Sequence, residues 1–171
     1  MSQLRVAGIV PESVVDGPGF RYAIFTQGCR HNCFGCQNPQ THDFAGGYVV
    51  DTDDLFAEMT EDPLIRGMTF SGGDPFEQPA PLAELAAKVH AVGKDIVAYT
   101  GYTYEQLLAK AGKEPAVMDL LRETDVLIDG PFILAQRNLE LRFRGSDNQR
   151  VIDVRQSLAS GEVVTFEFED C

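Results

Sequence analysis

The amino-acid sequence predicts an α/β fold, in the form of an open, partial (β/α) barrel of about five to six parallel strands. A pattern of strand, loop and helix recurs about five times along the chain, and this pattern is typical of a parallel sheet with crossover helices. A complete eight-unit barrel typically needs about 250 residues. Because this chain has only 171 residues, we expect a barrel that does not close.

Short runs of apolar and branched residues, bounded by glycine or proline, predict the strands. The first run stops at Pro11, and the second, Phe-Arg-Tyr-Ala-Ile-Phe-Thr, is rich in aromatic and branched side chains. Later runs lead directly into Ser71, Thr100 and Gly130. The predicted strands are residues 4–10, 20–26, 67–70, 94–100, 125–130 and 149–154.

Between these strands, four segments have helical patterns. The first follows Asp51, a good helix cap, and carries acidic residues in its first turn, where the helix dipole favours them. The second places four apolar residues on one face and ends at Gly93. The predicted helices are residues 53–59, 82–92, 104–111 and 116–122.

The chain is predicted to form one domain over residues 1–171, with a core at about 5–155 and a C-terminal tail at 156–171. Residues 43–50 are interpreted as a glycine-rich connector. The end of the tail alternates apolar and acidic residues, so we expect an edge strand or a mobile arm there. There is no internal repeat and no low-complexity segment.

Composition excludes several classes of function. The net charge is −12, with 14 Lys and Arg against 26 Asp and Glu, so a nucleic-acid partner is not expected. No stretch approaches the run of about 20 apolar residues needed to cross a bilayer, and the start of the chain lacks the build of a signal peptide. We therefore expect a cytoplasmic protein with no membrane partner.

Three of the four cysteines lie within eight residues, in the order Cys29, Cys33 and Cys36. Cysteine thiolates are the usual protein ligands of iron–sulfur clusters, and inward-turned backbone N–H groups can hold the negatively charged core. Three ligands on a four-iron cluster leave one iron open, which can bind a substrate or cofactor directly. The C-x3-C-x2-C spacing therefore predicts a [4Fe-4S] cluster at which chemistry takes place.

Other uses of these cysteines are less well supported. Structural zinc needs four ligands, so His31, His42 or Cys171 would have to complete the shell. A disulfide framework does not fit four cysteines that are so bunched in a chain without a secretory signal. A redox pair formed by Cys33 and Cys36 would leave Cys29 unused.

Further polar and glycine-rich segments follow or precede the predicted strands. Ser71-Gly-Gly-Asp-Pro75 follows an apolar strand, and its two glycines let the backbone approach a ligand closely. Asp129 ends another strand and is either a solvated cap or part of a site. Ligands of parallel α/β sheets gather beyond the carboxyl ends of strands, so these segments should face one site.

Together with the cysteine motif, four segments resemble one family: Asp16-Gly-Pro-Gly19, the run from Arg21 to Gly28 into the cysteines, Ser71 to Pro75, and Arg144-Gly-Ser-Asp-Asn-Gln-Arg150. The chain is similar over about residues 5–155 to the anaerobic ribonucleoside-triphosphate reductase activating proteins. These are small radical S-adenosylmethionine (SAM) enzymes that are related to the activators of pyruvate formate-lyase. The resemblance also implies the open barrel of the radical SAM type.

The resemblance implies that Cys29, Cys33 and Cys36 hold the cluster and that SAM lies at its open iron. It implies that Asp16 to Gly19 lie beside the cofactor mouth. Two departures from related proteins are present: Tyr99 stands where an acidic residue commonly precedes Thr100, and Gly35 stands where many members have an aromatic residue. The SAM contacts implied are Gly35, Cys36, Gln37, Ser71, Gly72, Gly73, Asp74, Thr100, Asp129, Gly130 and Pro131.

The function implied is an activase that cleaves SAM reductively and generates a glycyl radical on its partner, the anaerobic ribonucleoside-triphosphate reductase. An electron donor such as flavodoxin or ferredoxin is also implied. Two alternatives stay open at this point. One is a radical SAM enzyme that acts on a small molecule, similar to carboxy-deazaguanine synthase, and the other is a zinc-binding interaction module.

Overall fold

The computed structural model describes residues 2–31, 39–138 and 143–165, in which seven strands form one sheet accompanied by five α-helices. The strands are β1 Gln3–Ser13, β2 Arg21–Thr26, β3 Tyr48–Asp51, β4 Gly67–Gly72, β5 Asp95–Tyr99, β6 Val126–Asp129 and β7 Arg150–Asp153. The helices are α1 Thr52–Thr60, α2 Pro79–Ala91, α3 Tyr104–Ala111, α4 Pro115–Glu123 and α5 Val154–Ser160.

The sheet is open, with the strand order β3-β1-β2-β4-β5-β6-β7. Strands β2, β4, β5 and β6 are parallel and form its centre. Strands β1, β3 and β7 are antiparallel to their neighbours. The α/β class and the open barrel are confirmed, but the parallel part has four strands, fewer than the five to six expected.

The outer strands run antiparallel because of their connections. Only residues 14–20 separate β1 from β2, and a parallel crossover needs a dozen or more residues. Between β6 and β7 the described residues contain a short 3-10 helix, Leu134–Gln136, and no crossover α-helix. Strand β3 overlaps the end of the segment interpreted as a connector, residues 43–50, since Tyr48–Asp51 pair with the start of β1.

Alternation along the central strands separates two faces of the sheet. On one face Met68, Phe70 and Ile96 belong to the main core, which the helices cover. On the other face a smaller apolar cluster of Val97, Val126, Ile128 and Val151 is packed by Tyr99. The helices of the main core thus pack on the first face. The site described below opens on the second face.

The four predicted helices are all present, with ends shifted by at most three residues. Asp51 caps α1, because its side chain accepts a hydrogen bond from Asp53 N at 2.9 Å. The start of the tail differs from the expectation: it continues α5, and Thr165 then bridges to Ile152 on the edge of β7. In the part of the chain that the structure describes, no helix has the length and apolar character of a membrane span.

Candidate active site

A cavity of about 350 Å³ lies at the carboxyl ends of the four parallel strands. The residues that follow these strands meet there because the carboxyl ends of parallel strands share one edge of the sheet. The cavity walls therefore combine the first cysteine with five of the loop residues singled out from the sequence. These lining residues are Cys29, Ser71, Gly72, Gly73, Thr100 and Gly130, and Gly101 lies beside them.

The backbone fixes Cys29 at one wall of the cavity. Gly28 N donates to Thr41 O at 2.6 Å, and Cys29 N donates to His42 O at 3.2 Å. Asp74 N donates to Gly28 O at 2.8 Å, which ties the start of the cysteine loop to the loop after β4. The direction in which the chain leaves β2 is thus set up to Cys29, by Thr41 and His42 on one side and by the loop after β4 on the other.

The other predicted residues of the cysteine loop, Cys33, Gly35, Cys36 and Gln37, lie outside the described residues, as does Cys171. Within residues 2–31, 39–138 and 143–165, no group of three or more His, Cys, Asp and Glu side chains has the arrangement of a metal site. His31, one of the side chains weighed for zinc, is hydrogen-bonded to Asp74.

The two glycines after β4 are required by the packing of the protein itself. Gly72 has a positive φ of 97°, and a Cβ atom there would lie 2.6 Å from the Phe25 carbonyl carbon. A Cβ atom on Gly73 would lie 2.7 Å from the carbonyl carbon of Gly28. We expected close approach of a ligand to be the reason for these glycines, but contact with the neighbouring strand and with the cysteine loop already accounts for them.

The carboxylate of Asp74 is fully buried and does not line the cavity. It accepts hydrogen bonds from Phe76 N and Gly101 N, both at 3.0 Å, and from His31 Nε2 at 2.5 Å. The Thr100 hydroxyl lies 2.9 and 3.0 Å from its two oxygens. Asp74, which the resemblance made a SAM contact, therefore has its carboxylate directed into the protein.

Tyr99 and Thr100, at the end of β5, also line the cavity. The Thr100 hydroxyl donates a hydrogen bond to Asp74, and the oxygen of the same hydroxyl accepts one from Tyr102 N at 3.1 Å. Burial raises the pKa of Tyr99 well above its ordinary value, and the nearby Asp16 carboxylate raises it further. Tyr99, which the resemblance marked as a departure from related proteins, thus stays a neutral hydroxyl group.

Asp129 is buried at the end of β6, and it is neither a solvated cap nor part of the cavity wall. Its carboxylate accepts from Tyr104 N at 2.8 Å and pairs with Arg150 Nη2 at 2.5 Å. The hydrogen bond between Arg150 and Asp129 raises the pKa of Arg150, and a hydrogen bond between Arg150 and Glu105 raises it further. Of the three residues of the predicted Asp-Gly-Pro contact, only Gly130 lines the cavity, while Pro131 O accepts from Asn148 Nδ2 at 2.8 Å.

The Asp-Gly-Pro-Gly leader is held by Arg21, a buried cation that sequence reasoning missed. Arg21 Nη2 lies 2.7 Å from Asp95 Oδ1, and Arg21 Nε donates to Thr69 Oγ1 at 2.7 Å. Thr69 Oγ1 in turn donates to Asp16 O at 2.7 Å, and Asp16 lines the cavity. Burial lowers the pKa of Arg21, and Asp95 opposes this effect. A charged residue at the start of an otherwise apolar strand, two residues after Gly-Pro-Gly, was the available signal.

The far wall of the cavity is built by the Arg144–Arg150 run, whose role was not predicted. Gln149 Oε1 accepts from Gly145 N at 2.8 Å, and Gln149 Nε2 donates to Gly130 O at 3.1 Å. Phe132, Phe143 and Arg144 line this wall. Arg144 Nη1 donates to Gln149 O at 2.8 Å, whereas Arg144 Nε is buried and has no hydrogen-bond partner among the described residues.

Comparison with known proteins places this cavity in a family context. The family model of the 4Fe-4S single cluster domain matches residues 15–152. The anaerobic ribonucleoside-triphosphate reductase-activating protein of Vibrio cholerae serotype O1 is 38% identical over 148 residues, covering 81% of this chain and 91% of that protein. The proteins of the same name from Escherichia coli K12 and Enterobacteria phage T4 are 35% and 34% identical over 159 and 151 residues. These alignments cover 85% and 84% of this chain, and 96% and 90% of the two relatives.

Among solved structures, the crystal structure of QueE from Escherichia coli superposes on this chain with a TM-score of 0.47 and 18% sequence identity. The superposition covers 59% of this chain and 54% of that one, and it has no bearing on function.

Proposed function

Because this chain belongs to the family of the anaerobic ribonucleoside-triphosphate reductase-activating proteins, we propose that it is a radical SAM activase. In this proposal it cleaves SAM reductively at a [4Fe-4S] cluster and generates a glycyl radical on the anaerobic ribonucleoside-triphosphate reductase. The observation that carries the proposal is the cavity itself, which brings Cys29 together with the loops after β4, β5 and β6. The proposed location is the cytoplasm, with flavodoxin or ferredoxin as electron donor.

The proposed cluster ligands are Cys29, Cys33 and Cys36. Gly35 and Gln37, which flank the third cysteine, are proposed to touch the cofactor. When bound, the cluster supplies one electron that cleaves SAM into methionine and a 5′-deoxyadenosyl radical, which takes a hydrogen atom from a glycine Cα of the partner. The chain itself supplies binding and orientation, and it keeps the two reacting groups together.

The residues of the cavity fit the groups of SAM. Arg144 offers a buried N–H without a partner among the described residues, and a carboxylate such as that of the methionine moiety would satisfy it. Ser71 and the backbone of Gly72 and Gly73 offer polar groups on the wall next to Cys29. The rings of Phe132 and Phe143 offer the apolar surface that an adenine needs, on a chain that lacks an aromatic residue at position 35.

Four further residues named from the sequence take different parts in this proposal. Thr100 contributes its hydroxyl oxygen and backbone at the cavity floor, and Gly130 contributes its backbone at the wall. Asp129 and Pro131 act through the braced segment that carries Gly130, rather than by direct contact.

The proposed substrate is a glycine in a loop of the reductase, which has to enter from outside. The sheet is open, and Val14 and Val15, which precede the leader, are 62% and 72% exposed. Val15 also lines the cavity, so exposed apolar surface is continuous with the site. An apolar surface at the entrance suits the docking of a protein better than that of a polar metabolite.

The test is anaerobic reconstitution, followed by an iron count and reaction with SAM and the anaerobic reductase. We expect four irons per chain, slow SAM cleavage without the reductase, and a glycyl doublet in electron paramagnetic resonance when the reductase is added. Deuterium placed at the target glycine should appear in 5′-deoxyadenosine. Cys33→Ala should lose the iron, whereas Cys171→Ala should keep it.

Each alternative has its own outcome in this experiment. Absence of a glycyl signal, with deuterium or rearrangement found in a small molecule alone, would replace the activase with a small-molecule enzyme. A colourless protein that holds zinc and does not consume SAM would replace it with a binding module. Loss of iron in Cys171→Ala comparable to that in Cys33→Ala would overturn the assignment of the ligands.

A further inference from the structure

The two residues after Cys29 are both paired with acidic side chains of the segment after β4. His31 Nε2 lies 2.5 Å from Asp74 Oδ2, and Arg30 Nε donates to Glu77 Oε2 at 2.8 Å. Arg30 is largely exposed, so its ion pair adds little. The His31 contact differs because both of its side chains are sheltered from solvent, with His31 15% exposed and Asp74 fully buried.

The hydrogen-bonding capacity of Asp74 is used up inside the protein. A carboxylate has about four acceptor sites. Phe76 N, Gly101 N, the Thr100 hydroxyl and His31 Nε2 supply donors for them. A ligand ammonium group could therefore reach this carboxylate only by displacing one of these donors.

Packing of its ring also holds His31 in place. Its ring meets the Tyr102 ring edge-on, with centroids 4.4 Å apart and an interplanar angle of 76°. A Cβ atom on Gly101 would lie 2.6 Å from His31 Cγ, so the ring occupies the space that this glycine leaves. Because a carboxylate only accepts hydrogen bonds, Nε2 carries the hydrogen in this arrangement.

We propose that His31 and Asp74 are positioning residues, which hold the Cys29 loop against the loops after β4 and β5. In this inference, which rests on the proposed function, Asp74 acts through His31 and does not bind the amino group of SAM. The backbone bonds of Gly28 and Cys29 fix the entry of the cysteine loop, and the His31–Asp74 pair fixes the chain beyond Cys29. The distance between the first thiol and the SAM loops is thereby set.

The discriminating variant is His31→Phe, which frees one acceptor site of Asp74. A direct role of Asp74 at the SAM amino group would leave SAM affinity unchanged or tighter in this variant. A positioning role predicts a Kd for SAM that is roughly tenfold higher, since a hydrogen bond to a buried charge is lost. His31→Gln keeps a donor that can reach Asp74, and it should restore affinity to within about twofold.

Iron content and the spectroscopic response to SAM separate this effect from general damage. In His31→Phe the iron count should equal that of the parent, while the change that SAM causes in the electron paramagnetic resonance of the reduced cluster should be diminished. Unchanged or tighter SAM binding by an iron-replete His31→Phe protein would overturn the inference. A parent protein that binds no SAM would instead overturn the proposed function.

A second experiment uses the cluster-free protein and so does not depend on SAM. Gly101→Ala should push the His31 ring away from Asp74, whereas Gly8→Ala is a matched control because nothing lies within 4 Å of its added Cβ atom. We expect the amide of Cys29 to exchange with deuterium roughly tenfold faster in Gly101→Ala than in Gly8→Ala. Equal exchange rates in the two variants would show that the pair does not hold this loop.

Discussion

At the scale of single residues, several side chains have a role that their sequence neighbours do not reveal. Gly73 was interpreted as a glycine that lets a ligand approach, yet its missing side chain makes room for Gly28 and Thr41. Asp74 was interpreted as a cofactor contact, yet it is buried beneath His31 and Thr100. In both cases the partner lies more than 20 residues away in the chain, so no local pattern could indicate it.

We predict that Gly73→Ala damages the cysteine loop before it damages SAM binding. The added Cβ atom would lie 2.9 Å from Thr41 O and 2.7 Å from the carbonyl carbon of Gly28. Overpacking of this kind costs about 1–3 kcal/mol of stability. Iron content after reconstitution and the free energy of unfolding should both fall, with Gly8→Ala as control. A protein that retains full iron and stability but loses SAM affinity would restore the ligand as the reason for this glycine.

A second prediction at this scale concerns Arg144. Arg144→Met should raise the Kd for SAM about tenfold, because a buried charged donor would be removed from the cavity wall. Arg122→Met, at an exposed position of α4, is the control and should leave the Kd unchanged. Calorimetry on the reconstituted protein under anaerobic conditions measures both, and equal affinities would remove Arg144 from the proposed SAM site.

At the scale of elements, the connecting segments decide whether a strand runs parallel or antiparallel to its neighbour. The central strands were predictable because each is a short apolar run followed by a glycine or a polar residue. The direction of β1 and β7 was not, because it depends on whether the connecting segment is long enough and helical enough to cross over. The predicted strand 4–10 also continues past Pro11 to Ser13, with a shift of register between Val10 and Ser13.

His90 joins α2 to the end of α4 and to the residue before β6, and it makes stability depend on pH. Its ring lies 2.6 Å from Glu123 Oε2 and 2.7 Å from Asp125 Oδ2, and Arg155 also pairs with Asp125. Burial alone would lower the pKa of His90, but the hydrogen bonds to Asp125 and Glu123 raise it above its ordinary value.

Because the folded-state pKa is the higher one, this contribution to stability is fully present below the ordinary pKa of about 6.5. It is lost as the pH rises through the raised pKa. We therefore expect the difference in unfolding free energy between the parent and His90→Asn to shrink as the pH rises above about 6.5. Denaturant unfolding of the cluster-free proteins at several pH values measures this, and a difference that grows with pH would contradict the assignment.

At the scale of the whole molecule, one face of the sheet is covered by helices and the other carries the cavity. Exposed apolar residues before the leader lie where a partner protein would have to dock under the proposed function.

We predict that Val14→Asp separates partner docking from cofactor binding. Val14 is exposed and does not line the cavity, so SAM affinity should stay unchanged. A buried charge at a protein interface should lower the yield of glycyl radical at least about fivefold, which corresponds to more than about 1 kcal/mol. Val92→Asp, at another exposed valine after α2, is the control. Equal radical yields in the two variants would exclude the surface around Val14 from docking.

The sequence by itself determined what is encoded locally. The spacing of Cys29, Cys33 and Cys36, the Gly-Gly turn after an apolar strand and the length of the chain together predicted the family and an open α/β sheet. They also predicted that the loops after the parallel strands would meet, since that follows from the geometry of any parallel sheet.

Only the tertiary structure decided which side chains face the cavity and which are used to hold it. The pairing of His31 with Asp74, of Arg21 with Asp95 and of Arg150 with Asp129 joins residues that are distant in the chain. The choice among possible partners depends on burial, because a buried charge needs a partner while an exposed one does not. Burial is a property of the packed elements, and for this reason it could not be read from the order of the residues.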